Sequence, residues 1–323
     1  MRMTLPVSAA QQLTEISRCS HRTSTFDSTQ ETFMSRNKAD LLLLSAAFVW
    51  GSSYGFMKIG AETMPPICIA ALRCLFAFII LCPLFLGRMI RKTNRDILLY
   101  SAVTGFLIAG VFIGVIYGVI GTSASAAGFL ISTSVIMVPI LHGLWIRKWP
   151  SLPVMTGTVI VTAGLVLLNG VTSISLDKGF ILCLLAAFLY ALDILFTNTF
   201  VSRIDSLLLG IWQMGFAGLF AGIMSCILET PVLPSTVPEW TAVLGLAIFS
   251  SAYSFTVQAM AQEYTTPERA GFIFSLEPVF SALFAFAFLG ENLGTTGLAG
   301  AFLILLGVWA AGGTFSFPLR SKS

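Results

Sequence analysis

Four ionisable side chains, Lys58, Arg73, Asp193 and Glu277, fall inside or near the ends of long apolar runs. A charge at the centre of a bilayer costs ~2.5–3.5 kcal/mol on insertion scales, so it persists where it faces a cavity or a partner. Two of the four are cationic and two anionic. They can pair with one another as structural locks, or they can line a polar pocket. Glu277 lies ten residues beyond Pro267, ~15 Å along a helix rising 1.5 Å per residue, near the middle of its run. Pro278 follows it and removes a backbone donor, which predicts a kink and a free carbonyl beside the carboxylate. Such a carboxyl can take up and release a proton, or it can tie helices together through Arg73 or Lys58. Arg73 offers a planar fork that suits a carboxylate or phosphate. Asp193, one turn beyond Tyr190, suits an amine or a proton. Lys58 is nearer the end of its run, where its stem can reach the interface. Trp50 and Tyr190 each join a ring to a polar atom and could grip an apolar or aromatic solute. His142 reads as a satisfied core histidine.

Other chemistries find no support. The chain has no phosphate-binding glycine loop of the Walker type and no GxSxG nucleophile motif. It has two histidines and six cysteines without CxxC or Cys/His spacing, so no metal site or cofactor is expected. Five of the cysteines, Cys68, Cys74, Cys82, Cys183 and Cys226, lie in apolar runs and read as packing residues. A membrane enzyme would need a nucleophile, a base and metal ligands together, and the sequence offers no such cluster.

The elements that must carry these residues follow from composition. Charged residues make up 10 % of the 323 and hydrophobic ones 56 %, against roughly 25 % charged in ordinary soluble domains. With a mean hydropathy of +0.89, a water-soluble fold of this length could not hide its apolar side chains. The lipid bilayer is the expected solvent. A net charge of +3 with scattered basic residues argues against nucleic acid. Apolar runs of bilayer length predict ten spans, near 41–60, 67–86, 97–118, 123–146, 154–170, 179–200, 206–228, 240–262, 268–289 and 293–313. The breaks carry turn or charge signals, among them Met64-Pro65-Pro66, Arg88 through Arg95, Arg147 through Pro150 and Pro231 through Pro238. Basic residues concentrate in the even-numbered loops and both tails, while the odd loops hold only Lys178. The positive-inside rule then places both termini in the cytoplasm. Residues 1–38 are rich in Ser and Thr and lack an apolar signal core; they read as a disordered tail, or as an over-long start with Met34 as the true one.

The sequence also repeats. A shift of 143 residues aligns Ala127-Gly128-Phe129-Leu130 with Ala270-Gly271-Phe272-Ile273, Ser132 with Ser275, Gly157 with Gly300 and Gly164 with Gly307. A shift of 140 aligns Ala46-Ala47-Phe48 with Ala186-Ala187-Phe188, and places Trp50 and Tyr190 in equivalent positions. Five spans per copy make the second copy enter from the opposite side, the inverted repeat of many secondary transporters, with the solute site near the midplane. The expected fold is all-α, two inverted five-helix units over 39–172 and 173–316, with 317–323 as a cytoplasmic tail. Small-residue stripes at Gly110, Gly114 and Gly118, at Gly51 and Gly55, and at Gly218 and Gly222 suit close packing within one chain. A monomer is expected, with a dimer left open.

These residues resemble the drug/metabolite transporter superfamily, in particular its ten-span EamA-type members. The likeness rests on Ala47 through Ser53 with Lys58, Ala70-Ala71-Leu72-Arg73, Ala124 through Gly128, Ser275 through Val279 and Leu289-Gly290-Glu291. It spans about residues 40 to 315. Two features depart from it: Ile146-Arg147-Lys148 replaces a Gly-Glu pair after helix 4, and Asp193 stands where a neutral polar residue is expected. The resemblance implies a metabolite or drug exporter and names no substrate. From the residues themselves, Trp50, Ser53, Arg73, Tyr190, Asp193, Ser275 and Glu277 are the expected solute contacts, with Glu277 or Asp193 as the proton carrier, and a bacterial plasma membrane is the expected location. An amino acid or related organic is the expected cargo. An exchanger of phosphorylated or nucleotide-linked sugars, or a scaffold or sensor subunit, is the alternative.

Overall fold

A computed structural model of the chain describes residues 34–121, 124–169, 178–289 and 294–312. Of the expected N-terminal tail over 1–38, residues 1–33 lie outside the described residues, as do the tail over 317–323 and the Gly290-Glu291 pair; Arg36, Asn37 and Lys38, expected in that tail, instead open the first helix. From Arg36 on, the helices are α1 (Arg36–Ala61), α2 (Pro66–Lys92), α3 (Arg95–Gly121), α4a (Ala124–Ser132), α4b (Ser134–Ile146), α5 (Leu152–Asn169), α6 (Lys178–Phe200) and α7 (Ser206–Leu228). They continue as α8a (Val237–Gly245), a π-helical stretch Leu246–Tyr253, α8b (Ser254–Gln262), α9a (Pro267–Phe274), α9b (Glu277–Leu289) and α10 (Gly294–Gly312). Among the described residues eight helices are long and apolar enough to cross a membrane, and Leu152–Leu168 is a shorter apolar one. The ninth helix is divided into α9a and α9b. The ten segments match the ten expected spans to within a few residues, and the break between α2 and α3 at Thr93-Asn94 falls within the expected one, Arg88 through Arg95. There the Asn94 side chain accepts from the Ile97 N–H at 2.9 Å and opens α3. Arg88 ties the end of α2 to Asp205 at the N-cap of α7, donating from Nε and Nη2 at 2.9 and 2.7 Å.

The helices pack as two interlocked copies. α1 lies against both parts of α8 and both parts of α9, while α6, its counterpart in the second copy, lies against α3 and both parts of α4. α2 packs on α7 and α5 on α10. Exchanging the two five-helix units leaves this pattern unchanged. The α5–α10 seam shows the symmetry at atomic scale. A methyl group on Gly157 would sit 3.0 Å from the Gly307 carbonyl oxygen, and one on Gly164 would sit 2.7 Å from that of Gly300. Numbers rise along one helix as they fall along the other, so the two run antiparallel. The 143-residue shift converts one contact into the other. Glycine is required there because two backbones touch. α3 uses the same device against α6, with Gly114 meeting Ala186 and Gly118 meeting Cys183. Gly51 packs on Phe280 and Gly218 on Leu75, whereas Gly55 and Gly222 face open space.

Three spans depart from regular helix near the middle. α9 breaks at Ser275-Leu276, as Pro278 predicts: it has no N–H for the Phe274 carbonyl one turn back. α4 breaks at Thr133, one residue from the repeat position of Ser275. No proline lies within the next five residues there. Instead the Ser132 hydroxyl donates to the Gly128 carbonyl at 2.9 Å and the Thr133 hydroxyl to that of Leu130 at 2.6 Å. Such back-bonding bends helices. The π-helical stretch in α8 is the third, and wide turns of this kind are enriched at functional sites.

Candidate functional site

These irregular segments converge on a buried cavity of about 40 Å³. Of the residues expected at a site, Trp50, Ser53, Arg73, Tyr190 and Glu277 line it, joined by Tyr54, Met57, Val111, Phe112, Val115, Ile131, Ser250 and Phe255. The lining comes from both halves of the chain. Its volume holds a few waters.

Glu277 is the first residue of α9b, directly after the break, and only 6 % exposed. The hydroxyl of Tyr54 on α1 donates to its Oε1 at 2.6 Å. Arg73, 1 % exposed, is held from the π-helical stretch: its Nε donates to Ser251 Oγ at 2.9 Å and its Nη2 to Ser250 Oγ at 2.6 Å. The guanidinium carbon lies 3.8 Å from the centre of the Phe112 ring, in reach of a cation–π contact. Arg73 and Glu277 therefore share the cavity without an ion pair. The structural lock that sequence alone left open is not what engages them, and Lys58, on the exposed side of α1, takes no part. The hydrogen-bond partners of both are neutral groups, which leaves capacity for a ligand of mixed charge.

An aromatic group forms another part of the lining. Trp50 and Tyr190 meet edge to face with centroids 5.9 Å apart, so the two repeat-related rings expected to form a pair do so. Phe255 and Phe274 lie 5.0 and 5.1 Å from Trp50. The Trp50 Nε1 donates to the Ser250 carbonyl at 2.9 Å, so the stretch that holds Arg73 also fixes the tryptophan. The Tyr190 hydroxyl is buried and has no protein partner; a buried phenol without a partner at a cavity is suited to a ligand or water.

Two expected residues stand apart from the lining. The Ser275 hydroxyl bonds its own helix, donating to the Phe272 carbonyl at 2.6 Å, and so belongs to the break in α9. Asp193, fully buried, lies in a polar cluster between α6, α7 and α8, accepting from Gln213 Nε2 at 2.8 Å and Gln258 Nε2 at 3.2 Å. His142 is satisfied by Glu268, and Arg269 beside it by Asp40, which ties the start of α9a to α4b and α1. The sequence reading missed Tyr54, Ser250 and Ser251. Tyr54 one turn from Trp50, and a serine doublet in mid-span, are polar atoms that must find partners in an apolar run. That was the signal available.

An all-α, polytopic membrane protein with a cavity lined from both of its halves is the class that this arrangement defines. Comparison with known proteins refines it. The EamA-like transporter family model matches twice, over residues 37–170 and 177–312, and the chain belongs to that family. It is 29 % identical over 274 residues to an uncharacterized transporter of Archaeoglobus fulgidus, covering 84 % of each chain. To the uncharacterized transporter YoaV of Bacillus subtilis it is 24 % identical, over 88 % of this chain and 99 % of that one. To the uncharacterized inner membrane transporter YedA of Escherichia coli K12 it is 27 % identical, over 86 % and 92 %. A solved crystal structure superposes with a TM-score of 0.71 over 86 % of this chain and 97 % of the other, at 16 % identity; that likeness concerns the fold. The chain is thus a membrane transporter by family, not an enzyme.

Proposed function

We propose that the protein is a secondary exporter of small organic metabolites, amino acids or related compounds, that binds its cargo in the Arg73–Glu277 cavity. The observation that carries this reading is the placement of one buried cation, one buried carboxylate and the Trp50–Tyr190 pair on a single cavity fed by both halves. Arg73 would hold a carboxylate, Glu277 an ammonium group or a proton, and the rings an apolar side chain. In this proposal the units over 39–172 and 173–316 rock about the cavity, with α4 and α9 flexing at their breaks. The chain would lie in a bacterial inner membrane, as the Escherichia coli relative's name says of that protein, with both termini cytoplasmic. It would work as a monomer. A phosphorylated sugar is less well served, because Arg73 is the only cationic lining residue of the cavity among the described residues. The test is flux into proteoliposomes across a panel of labelled amino acids and organic ions, with and without a pH gradient. Saturable flux that Glu277→Gln reduces at least tenfold supports the reading. Normal flux in both Glu277→Gln and Arg73→Ala removes the site, and no flux of any solute favours a scaffold.

A further inference from the structure

The cluster around Asp193 has a chemistry that the cavity does not use. The carboxylate is fully buried between protein elements, not at the lipid surface. Its hydrogen-bond partners are the neutral amides of Gln213 and Gln258. No lysine, arginine or histidine among the described residues forms an ion pair with it. Of the charged groups on the helices packed against α6, His142 is engaged with Glu268 and Arg269 with Asp40, while Arg95 and Asp96 at the start of α3 are exposed. The titratable neighbour is Tyr190, one turn earlier on α6. Amide donors alone do not compensate a buried carboxylate in a medium of low polarity.

Two side chains at the same cluster carry an oxygen without a partner. The side-chain oxygen of Gln258, a residue 1 % exposed, accepts nothing. The Thr197 hydroxyl, one turn on from Asp193 and also 1 % exposed, faces the carboxylate without a well-formed hydrogen bond. Buried side-chain oxygens without partners, next to a carboxylate bonded only by neutral groups, can share a cation or a proton with it. The repeat isolates the feature. Positions 53 and 73 correspond to 193 and 213 at the 140-residue shift, so Ser53 and Arg73 in one copy stand where Asp193 and Gln213 stand in the other. The copies thus carry opposite charge at related places.

We infer that Asp193, with the Gln258 side-chain oxygen and the Thr197 hydroxyl, is a binding site for a small monovalent cation, a proton or a sodium ion, separate from the cavity. The site is independent of the transport reading; its use in coupling rests on that reading. Two measurements on purified full-length protein distinguish the sources and need no transported solute: equilibrium binding of radioactive sodium, and infrared detection of a protonated carboxyl group. Sodium bound at one ion per chain identifies sodium, and a protonated carboxyl band identifies a proton. In either case the signal is expected to persist in Glu277→Gln and to vanish in Asp193→Asn. Gln258→Leu, which keeps the carboxylate, is expected to weaken sodium binding at least tenfold or to shift the carboxyl band, and it carries the test if Asp193→Asn fails to fold. Absence of both signals in the wild type overturns the inference. So does a signal that survives Asp193→Asn, or one that Gln258→Leu leaves unchanged.

Discussion

Replacing Arg73 by Gln separates a binding role from a structural one. The guanidinium makes two hydrogen bonds, to Ser250 and Ser251, and a contact with the Phe112 ring. A hydrogen bond to a charged group contributes about 1.5–3 kcal/mol, and a desolvated cation–π contact about 2 kcal/mol. Their sum, roughly 5–8 kcal/mol, opposes a desolvation penalty of several kcal/mol for the buried ion. Glutamine keeps one of the serine hydrogen bonds and carries no such penalty. The thermal stability of the detergent-solubilised protein is therefore expected to change little. A bound carboxylate, in contrast, loses its charged partner. Breaking a buried pair costs about 3–5 kcal/mol, which at 1.4 kcal/mol per decade is a loss of roughly two to three and a half orders of magnitude in affinity. Arg73→Lys keeps the charge without the fork and should fall between. The assay pairs solute flux in proteoliposomes with thermal unfolding of the same preparations. Wild-type flux in Arg73→Gln refutes the reasoning, as does a loss of flux matched by a proportionate loss of stability.

Two further outcomes follow from the geometry. Tyr54→Phe removes the donor to Glu277 and is expected to lower flux about tenfold, the effect of 1.5 kcal/mol, with little further loss in a Glu277→Gln background; additive losses in the double variant contradict the contact's role. Gly164→Leu overpacks a point where a methyl group already comes within 2.7 Å of the Gly300 carbonyl oxygen and should destabilise by about 1–3 kcal/mol, whereas Gly55→Ala, facing open space, should be neutral or stabilising by up to about 1 kcal/mol. Equal unfolding temperatures for these two variants would show that the α5–α10 seam is not a close backbone contact.

The spans, the inverted repeat and the kink beside Glu277 were legible because each leaves a local mark: an apolar run, a displaced copy, a proline. The pairing of Trp50 with Tyr190 was legible through the repeat. The partners of Arg73 were not. A membrane helix is apolar on every side, so it lacks the polar face that tells a soluble helix which way to turn, and the rotation of α8 is set by its π-helical stretch, for which no sequence signal was found. That rotation carries Ser250 and Ser251 to the guanidinium and leaves Glu277 to Tyr54. The break in α4 was hidden for a related reason. It arises from serine and threonine back-bonding, and these residues also occur in straight helices. The separation of Asp193 from the cavity depends on a three-dimensional packing of α6, α7 and α8 that spacing along one helix does not encode.

Thiol labelling tests the central claim most directly. With the native cysteines replaced, Val115→Cys, on the cavity wall contributed by α3, is treated in proteoliposomes with a membrane-impermeant maleimide added from one face or the other. If the cavity is the solute path, the cysteine reacts from each face in turn and a transported solute slows both reactions. A cysteine that stays unreactive from both faces while solute crosses would place the path elsewhere.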